Sequence, residues 1–344
     1  PRLVHGRSSH VLLPALSVNT PEQLVEKLAQ SQRIAVARGI TWAENLDPRF
    51  ARVLGLVHDK IGRAWRTGVT GPPGAGKSTL TNELIRALRA EEKLVSVLAV
   101  DPSSPFTGGA LLGDRIRMEE RTVDPGVFIR SMASRDSHGG LARASVDACD
   151  VMDAFGFDEI LLETVGVGQA EYDVVSACDT TLVVLCPGAG DGVQAMKSGL
   201  LEVADVIAVN KSDLPGAERL GNDLEEAIHI RLAGKDRWQT PVVHCSAGRE
   251  EGIGDVLAAI RKHREWLDAG PKAEKRAKAR VEQVKRVVFE HLHRVVWKEN
   301  GFEERVRSWL DRGTAPYDVA DHILADLSSG LAPAALDSPK GANC

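Results

Sequence analysis

The stretch "GVTGPPGAGKSTLT" at residues 68–81 decides the fold class of this chain. Residues 71–78 fit the pattern G-x-x-x-x-G-K-[ST], with a short apolar run before them and a helix-forming segment after them. Glycines let the backbone turn successive N–H groups into one concavity, and the start of the following helix adds partial positive charge. We therefore predict a phosphate-binding loop between a strand and a helix. The alternative is a glycine-rich turn that holds no ligand.

A loop of this kind predicts a nucleoside triphosphate as ligand, with two side chains in defined roles. Lys77 is expected to reach the β- and γ-phosphates, which makes it a catalytic residue, and the Ser78 hydroxyl is expected to bind Mg²⁺. The residues predicted to surround the phosphates are Gly71, Pro72, Pro73, Gly74, Ala75, Gly76, Lys77, Ser78 and Thr79.

Short β-branched runs alternate with helical patterns through much of the chain, and most of these runs are apolar on both faces. This alternation predicts an α/β fold of the P-loop NTPase type, with a doubly wound, mostly parallel sheet. Ligands of such sheets bind at the carboxyl ends of the strands. The predicted strands cover residues 94–101, 127–131, 159–163, 181–186, 205–210 and 241–246.

The tetrapeptide Asn210-Lys211-Ser212-Asp213 ends one of these runs and indicates which base is bound. The Asp213 carboxylate can accept hydrogen bonds from N1–H and the exocyclic amine of guanine, a pair that adenine does not offer. Asn210 can reach the purine edge, and the Lys211 stem can cover the ring face. A backbone N–H of Ser246, Ala247 or Gly248 is expected to meet the guanine carbonyl. The alternative is an ordinary strand-to-turn exit, where these residue types are common.

Carboxylates that could hold the metal follow other predicted strands. Glu163 ends one run and Asp101 ends another, while Asp114 lies in a glycine-containing loop. Together with Ser78 they form the predicted Mg²⁺ site, and the N–H of Gly166 is expected to meet the γ-phosphate. Asp114 has the alternative role of a helix N-cap, and Asp101 that of a strand terminator.

The composition argues against a nucleic-acid-binding protein, a membrane protein and a disulfide-rich protein. The chain has 344 residues and a formal net charge of −5, so no overall field attracts nucleic acid or an anionic membrane. No apolar run approaches the ~20 residues that a membrane span needs. The five cysteines are scattered and never form C-x-x-C, which predicts a reducing compartment, and hence the cytoplasm.

Helical segments flank the α/β region. We predict a tail at 1–19, an N-terminal helical extension at 20–66, the GTPase domain at 67–269, a C-terminal helical region at 270–330 and a tail at 331–344. A helix is expected to start at Thr20, and a second one to cover about 48–66. The basic first half of the segment after residue 270 is typical of a solvated helix face rather than a nucleic-acid site.

Several motifs taken together resemble the MeaB/ArgK/MMAA family of GTPases, which chaperone adenosylcobalamin-dependent methylmalonyl-CoA mutase and related acyl-CoA mutases. The motifs are "GPPGAGKST", "LAVDPSSP", "GGALLGDRIRM", "ETVGVGQAE", "GLLEVADVIAVNKSDL" and "CSAG". The resemblance implies hydrolysis of GTP to GDP with Mg²⁺, gated delivery of the cofactor, and protection or reactivation of the mutase. It also implies that the C-terminal helical region builds a homodimer.

The resemblance further implies a third switch at residues 187–197, where Gln194 and Lys197 would link nucleotide state to the mutase and contribute to catalysis. Val167 follows Gly166 where many GTPases carry the glutamine that orients the attacking water. We therefore expect slow intrinsic hydrolysis that a partner accelerates.

Two other functions stay open at this stage. A nickel-delivery GTPase of hydrogenase or urease maturation shares the phosphate loop, although it normally carries Cys/His ligands that this chain lacks. A nucleotide-sensing scaffold would need binding but not hydrolysis. The sequence does not distinguish among the possible mutases.

Overall fold

A computed structural model describes residues 18–102, 124–134, 140–164, 177–188, 200–231, 238–299 and 302–330. Over these residues the chain forms a seven-stranded, entirely parallel sheet in the order β3-β2-β4-β1-β5-β6-β7. The strands are β1 Trp65–Thr70, β2 Val95–Pro102, β3 Val127–Ser134, β4 Glu159–Thr164, β5 Thr180–Leu185, β6 Val206–Val209 and β7 Val242–His244. The predicted fold class is therefore confirmed.

Helices cover both faces of the sheet, because each central strand has apolar side chains on both sides. In β4, Ile160 and Leu162 enter one core, while Leu161 enters the core on the opposite face. The helices are α1 Pro21–Ala29, α2 Arg33–Glu44, α3 Arg49–Val57, α4 Lys77–Ala90, α5 Gly140–Phe155, α6 Leu200–Val203, α7 Ala217–Arg231, α8 Ile253–Asp268, α9 Pro271–Arg294, α10 Phe302–Asp311 and α11 Pro316–Gly330. Side chains of α1, α2, α3 and α5 share the first core, and those of α4 and α8 share the second.

The N-terminal extension begins as predicted. Thr20 caps α1 by accepting the N–H of Gln23 at 3.2 Å, and the Gln23 side chain accepts the Thr20 N–H at 3.3 Å. This reciprocal pair satisfies two N–H groups that the first helical turn would otherwise leave without a partner.

The predicted helix over about 48–66 is wrong in its extent. Helix α3 ends at Val57, and a short 3-10 turn leads into a backbone bend before β1. At this bend the buried carboxylate of Asp153 accepts the N–H groups of residues 62, 63 and 64 at 2.8, 3.1 and 3.0 Å. Gly62 adopts a φ of 105°, which glycine tolerates without strain. These hydrogen bonds replace helical ones, so the helix stops.

The chain divides into two compact units, Pro1–Arg280 and Val281–Cys344. The second unit has a small core of its own, formed by Val296, Phe302, Val319 and Ile323. The first ten residues of α9 thus belong with the first unit. The boundaries given above from sequence stay predictions.

The basic start of α9 is not the solvated helix face that the sequence suggested. Arg276 makes a bidentate contact to Asp179 at 2.8 and 2.7 Å, and Arg280 makes one to Asp150 at 2.6 and 2.8 Å. Asp150 also accepts from Arg66 of β1 at 2.7 Å. Burial alone would raise the pKa of Asp150, yet Arg66 and Arg280 hold this pKa below its usual range. This ion network lies at the amino-terminal edge of the sheet.

Glu159, the first residue of β4, makes the stability of the fold depend on pH. Burial raises the pKa of its carboxyl group to about 7, and this outweighs the ion pair with Arg264 at 3.1 Å. A carboxyl group whose pKa is higher in the folded state disfavours folding once it ionises. The contribution of Glu159 to the free energy of unfolding should therefore fall by roughly 2–3 kcal/mol as the pH rises from about 5 to about 8.

Urea unfolding across this pH range, for the chain and for Glu159→Gln, checks this prediction. The amide cannot ionise, so the variant should lose this part of the pH dependence. An identical pH profile for both proteins would contradict it.

The structure also bears on membrane-spanning helices and on the cysteines. Among the described helices, none is both long and apolar enough to cross a membrane. Among the described residues, the thiols of Cys149, Cys178, Cys186 and Cys245 are buried and form no disulfide. The cytoplasmic location remains a prediction.

Candidate functional site

The phosphate loop connects the central strand β1 to α4, and two of its glycines are required by close packing. Gly71 has a φ of 140°, and a Cβ there would lie 2.0 Å from the carbonyl oxygen of Val184 in β5. Gly76 has a φ of 90°, and a Cβ there would lie 2.3 Å from Nδ2 of Asn210. Any larger residue at either position would displace the loop from the strand ends that support it.

Lys77 is buried at the first position of α4 and points back over the loop. Its Nζ donates to the carbonyl oxygens of Gly71 at 2.7 Å and Pro72 at 3.0 Å. The ammonium group therefore lies within the curl of the loop, beside the N-terminus of α4. Positive charge and a helix N-terminus together suit a polyphosphate.

The next residue, Ser78, contacts one of the predicted metal-binding carboxylates. Its Oγ donates a hydrogen bond to Oε1 of Glu163, which is buried near the carboxyl end of β4. Asp101 lies at the same edge, because Ala99 of the neighbouring strand β2 is in register with Glu163. Hydroxyl and carboxylate oxygens are ligands that Mg²⁺ prefers, so the donor set fits this ion.

Several predicted site residues lie outside the described part of the chain. These are Asp114, Gly166, Gln194 and Lys197. For Asp101 the structure describes the backbone, in β2, but not the side chain. Their roles stay predictions.

Asn210 joins the two halves of the site. It follows β6 and is buried. Its Nδ2 donates to the carbonyl oxygen of Ala75 in the phosphate loop at 2.8 Å, while its Oδ1 accepts the N–H of Ala247 at 3.0 Å. Lys211 adds a second link, since its Nζ donates to the carbonyl oxygen of Gly74 at 2.8 Å. The segment Asn210–Asp213 and the phosphate loop are thus one connected structure. A contact from Asn210 to the purine stays a prediction.

Asp213 is held at both carboxylate oxygens. Ser246 Oγ donates to its Oδ1 at 2.6 Å, and the Arg249 guanidinium lies 3.2 Å from its Oδ2. The Ser246 hydrogen bond, with smaller effects from a backbone N–H and from the charge of Arg249, holds the pKa of this carboxyl group below its usual range. Asp213 is therefore ionised at neutral pH and acts only as an acceptor.

The sequence analysis did not single out Arg249, nor the ion pair that anchors its loop. Glu250, the next residue, contacts Arg86 of α4 at 2.7 Å. The signal in the sequence is the charged pair directly after "CSAG", but a charged pair in a loop is too common to identify a site.

Taken together, the residues form a site with two poles. At one pole backbone amides, Lys77 and a Ser78–Glu163 oxygen pair suit a phosphate chain with its metal ion. At the other, Asp213 presents an ionised carboxylate suited to adjacent N–H donors. This arrangement can hold a purine nucleotide across the carboxyl ends of β1, β4 and β6.

Comparisons with known proteins identify the family of the chain. The family model for the methylmalonyl-CoA mutase-associated GTPase MeaB matches residues 36–301. A Pyrococcus abyssi protein with a GTPase name is 44% identical over 316 residues, which cover 90% of this chain and 97% of the relative. The GTPase ArgK of Escherichia coli is 33% identical over 299 residues, which cover 85% of this chain and 90% of the relative.

A solved structure described as LAO/AO transport system kinase has the same fold. It superposes with a TM-score of 0.68 at 28% identity, covering 91% of this chain and 99% of that one. The family model, the relatives and the site all point to hydrolysis of GTP. The chain therefore belongs to the MeaB family of methylmalonyl-CoA mutase-associated GTPases, as its motifs predicted.

Proposed function

We propose that this GTPase chaperones an adenosylcobalamin-dependent acyl-CoA mutase, gating delivery of the cofactor and protecting or reactivating the enzyme. The observation that carries the proposal is the match of residues 36–301 to a family described by its association with methylmalonyl-CoA mutase. In this role GTP hydrolysis switches the chaperone between its GTP-bound and GDP-bound states, and the mutase responds to that change.

The phosphate pole supplies the chemistry of hydrolysis. Lys77 would leave its two carbonyl partners for the β- and γ-phosphate oxygens, where its charge counters the charge that builds up in the transition state. Ser78 and Glu163, with Asp101 and Asp114, would hold Mg²⁺, and the ion would supply positive charge that counters the charge of the phosphates. The loop amides orient the triphosphate for in-line attack by water.

The base pole supplies specificity for guanine. Asp213 would accept from N1–H and the exocyclic amine, and the methylene stem of Lys211 would cover the ring. Ser246 N–H donates to Glu251 and Ala247 N–H donates to Asn210, so we assign the guanine carbonyl to the N–H of Gly248.

The proposal places activation in the partner. The loop at 187–197 would respond to the mutase, with Gln194 and Lys197 moving toward the γ-phosphate. Without that contact the water-orienting group is missing, which can cost on the order of 10³–10⁵ in rate.

We also propose a homodimer built by the C-terminal helical region. Helix α9 supports it with apolar side chains that are about half exposed along one stretch, namely Val281, Val284, Val288, Phe289 and Leu292. A contiguous exposed apolar stripe of this kind marks an interaction surface.

The function is tested by measuring GTP turnover with and without mutase holoenzyme. Methylmalonyl-CoA, isobutyryl-CoA, 2-hydroxyisobutyryl-CoA and ethylmalonyl-CoA mutases form the panel, because the sequence leaves the choice open. An adenosylcobalamin-free sample of each mutase shows whether activation depends on cofactor loading. A separate titration with Ni²⁺ covers the nickel-delivery alternative, which tight stoichiometric nickel binding would favour.

A further inference from the structure

We propose that Arg249 is a positioning residue for guanine recognition, fixing the orientation of the Asp213 carboxylate so that both of its oxygens face the base. This inference rests on the proposed role of Asp213. It adds a residue that neither the base-reading motif nor the phosphate loop contains.

The loop around Arg249 is built to hold this side chain in place. The N–H of Arg249 donates to the carbonyl oxygen of Ser246 at 2.9 Å, and Ser246 and Glu251 exchange backbone hydrogen bonds at 2.9 and 3.2 Å. Glu250, between them, is tied to Arg86 of α4 at 2.7 Å. The loop is thus closed on itself and anchored to the helix that follows the phosphate loop.

From this loop two donors reach Asp213, one for each oxygen. Ser246 Oγ donates to Oδ1 at 2.6 Å, and the Arg249 guanidinium lies 3.2 Å from Oδ2. A carboxylate with one partner can still rotate about its terminal torsion, which is broad, whereas partners on both oxygens restrict that rotation. Each oxygen keeps further acceptor capacity, so both can still receive a hydrogen bond from guanine.

The two guanine donors depend differently on this restraint. A carboxylate can accept a hydrogen bond from N1–H alone in several orientations. To accept from N1–H and the exocyclic amine together, the carboxylate must adopt one orientation. Loss of Arg249 should therefore weaken binding of guanine more than binding of hypoxanthine, which lacks the amine. A change in the preference for guanine over hypoxanthine would indicate a positioning role, because a general effect on the fold would weaken binding of both bases equally.

The test is titration calorimetry of full-length chain with GDP and with IDP, each with Mg²⁺, for the wild type, Arg249→Ala and Arg249→Lys. Arg249 is 60% exposed, so the variants should fold. The expected rise in the GDP dissociation constant for R249A is about 3- to 5-fold, the scale of an exposed ion pair. The IDP constant should change less, so the ratio of the IDP dissociation constant to the GDP dissociation constant falls, and R249K should restore this ratio in part.

Two further variants keep the result interpretable. Arg219→Ala removes an exposed arginine of α7, whose partner is Asp223 at 3.9 Å, and should leave the ratio unchanged. Asp213→Asn tests the role on which the inference rests, because it should weaken GDP binding and favour the xanthosine nucleotide. If D213N binds GDP like the wild type, both the base-reading role and this inference are wrong. If D213N behaves as expected but R249A keeps the wild-type ratio, only the role of Arg249 is wrong.

Discussion

GTP hydrolysis by Lys77→Ala is expected to be slower than that of the wild type by on the order of 10²–10³, the usual cost of removing one group that stabilises transition-state charge. Lys77 is buried within the curl of the phosphate loop, where its Nζ donates to the carbonyl oxygen of Gly71. The loop itself should persist, because Gly71 and Gly76 hold it against β5 and Asn210. Phosphate release at saturating GTP, with mutase present, measures the effect.

Lys262→Ala provides the control for this experiment. Lys262 is an exposed lysine of α8, away from the phosphate loop, and its removal changes the net charge by the same amount. Turnover by K262A should equal that of the wild type. Wild-type turnover by K77A would mean that the phosphate loop does not carry the chemistry.

Replacing Arg66 by methionine should lower the free energy of unfolding by about 3–5 kcal/mol, the scale of breaking a buried ion pair by removing one partner. Arg66 is buried and contacts Asp150 at 2.7 Å and Asp153 at 3.1 Å. Methionine fills much of the space but cannot compensate either carboxylate. Urea unfolding of both proteins at pH 7 measures the difference.

An exposed ion pair gives the matched control. Arg52→Met breaks the contact of Arg52 with Glu22 at 3.3 Å, in which both side chains are more than half exposed, and should change stability by less than about 1 kcal/mol. Equal effects of R66M and R52M would show that the ion network does not stabilise the fold.

The contacts of the phosphate loop with its neighbours could be predicted in part from sequence, because their signals are local. The glycine spacing at 71–78 fixes the phosphate loop, and Glu163 could be placed beside Ser78 because carboxyl ends of parallel strands share an edge. The strands themselves were recognisable from β-branched runs that are apolar on both faces.

What the sequence did not reveal depends on contacts between distant segments. The bend at residues 62–64 follows from Asp153, about 90 residues later. Arg280 similarly meets Asp150 over a separation of 130 residues. Helical periodicity indicates that a residue lies on one face of a helix, but it does not identify the partner on the other side. Basic residues at the start of α9 therefore resembled a solvated face, although two of them bind buried carboxylates.

Asn210 shows the same limit within the site. The motif predicted a contact to the purine, and this remains untested. Its side-chain links to Ala75 and Ala247 became visible only when the phosphate loop and the 246–251 loop were placed on either side of it. A sequence motif identifies the residue types at a site. Only the fold shows which of their polar atoms already form hydrogen bonds within the protein.

The most direct test of the account is GTP turnover by the purified chain with and without each mutase holoenzyme of the panel. The account predicts slow turnover by the chain alone and an increase of at least about 10-fold with one of these mutases, since the partner supplies missing positioning groups. Unchanged turnover with all four mutases, or fast turnover by the chain alone, would contradict it.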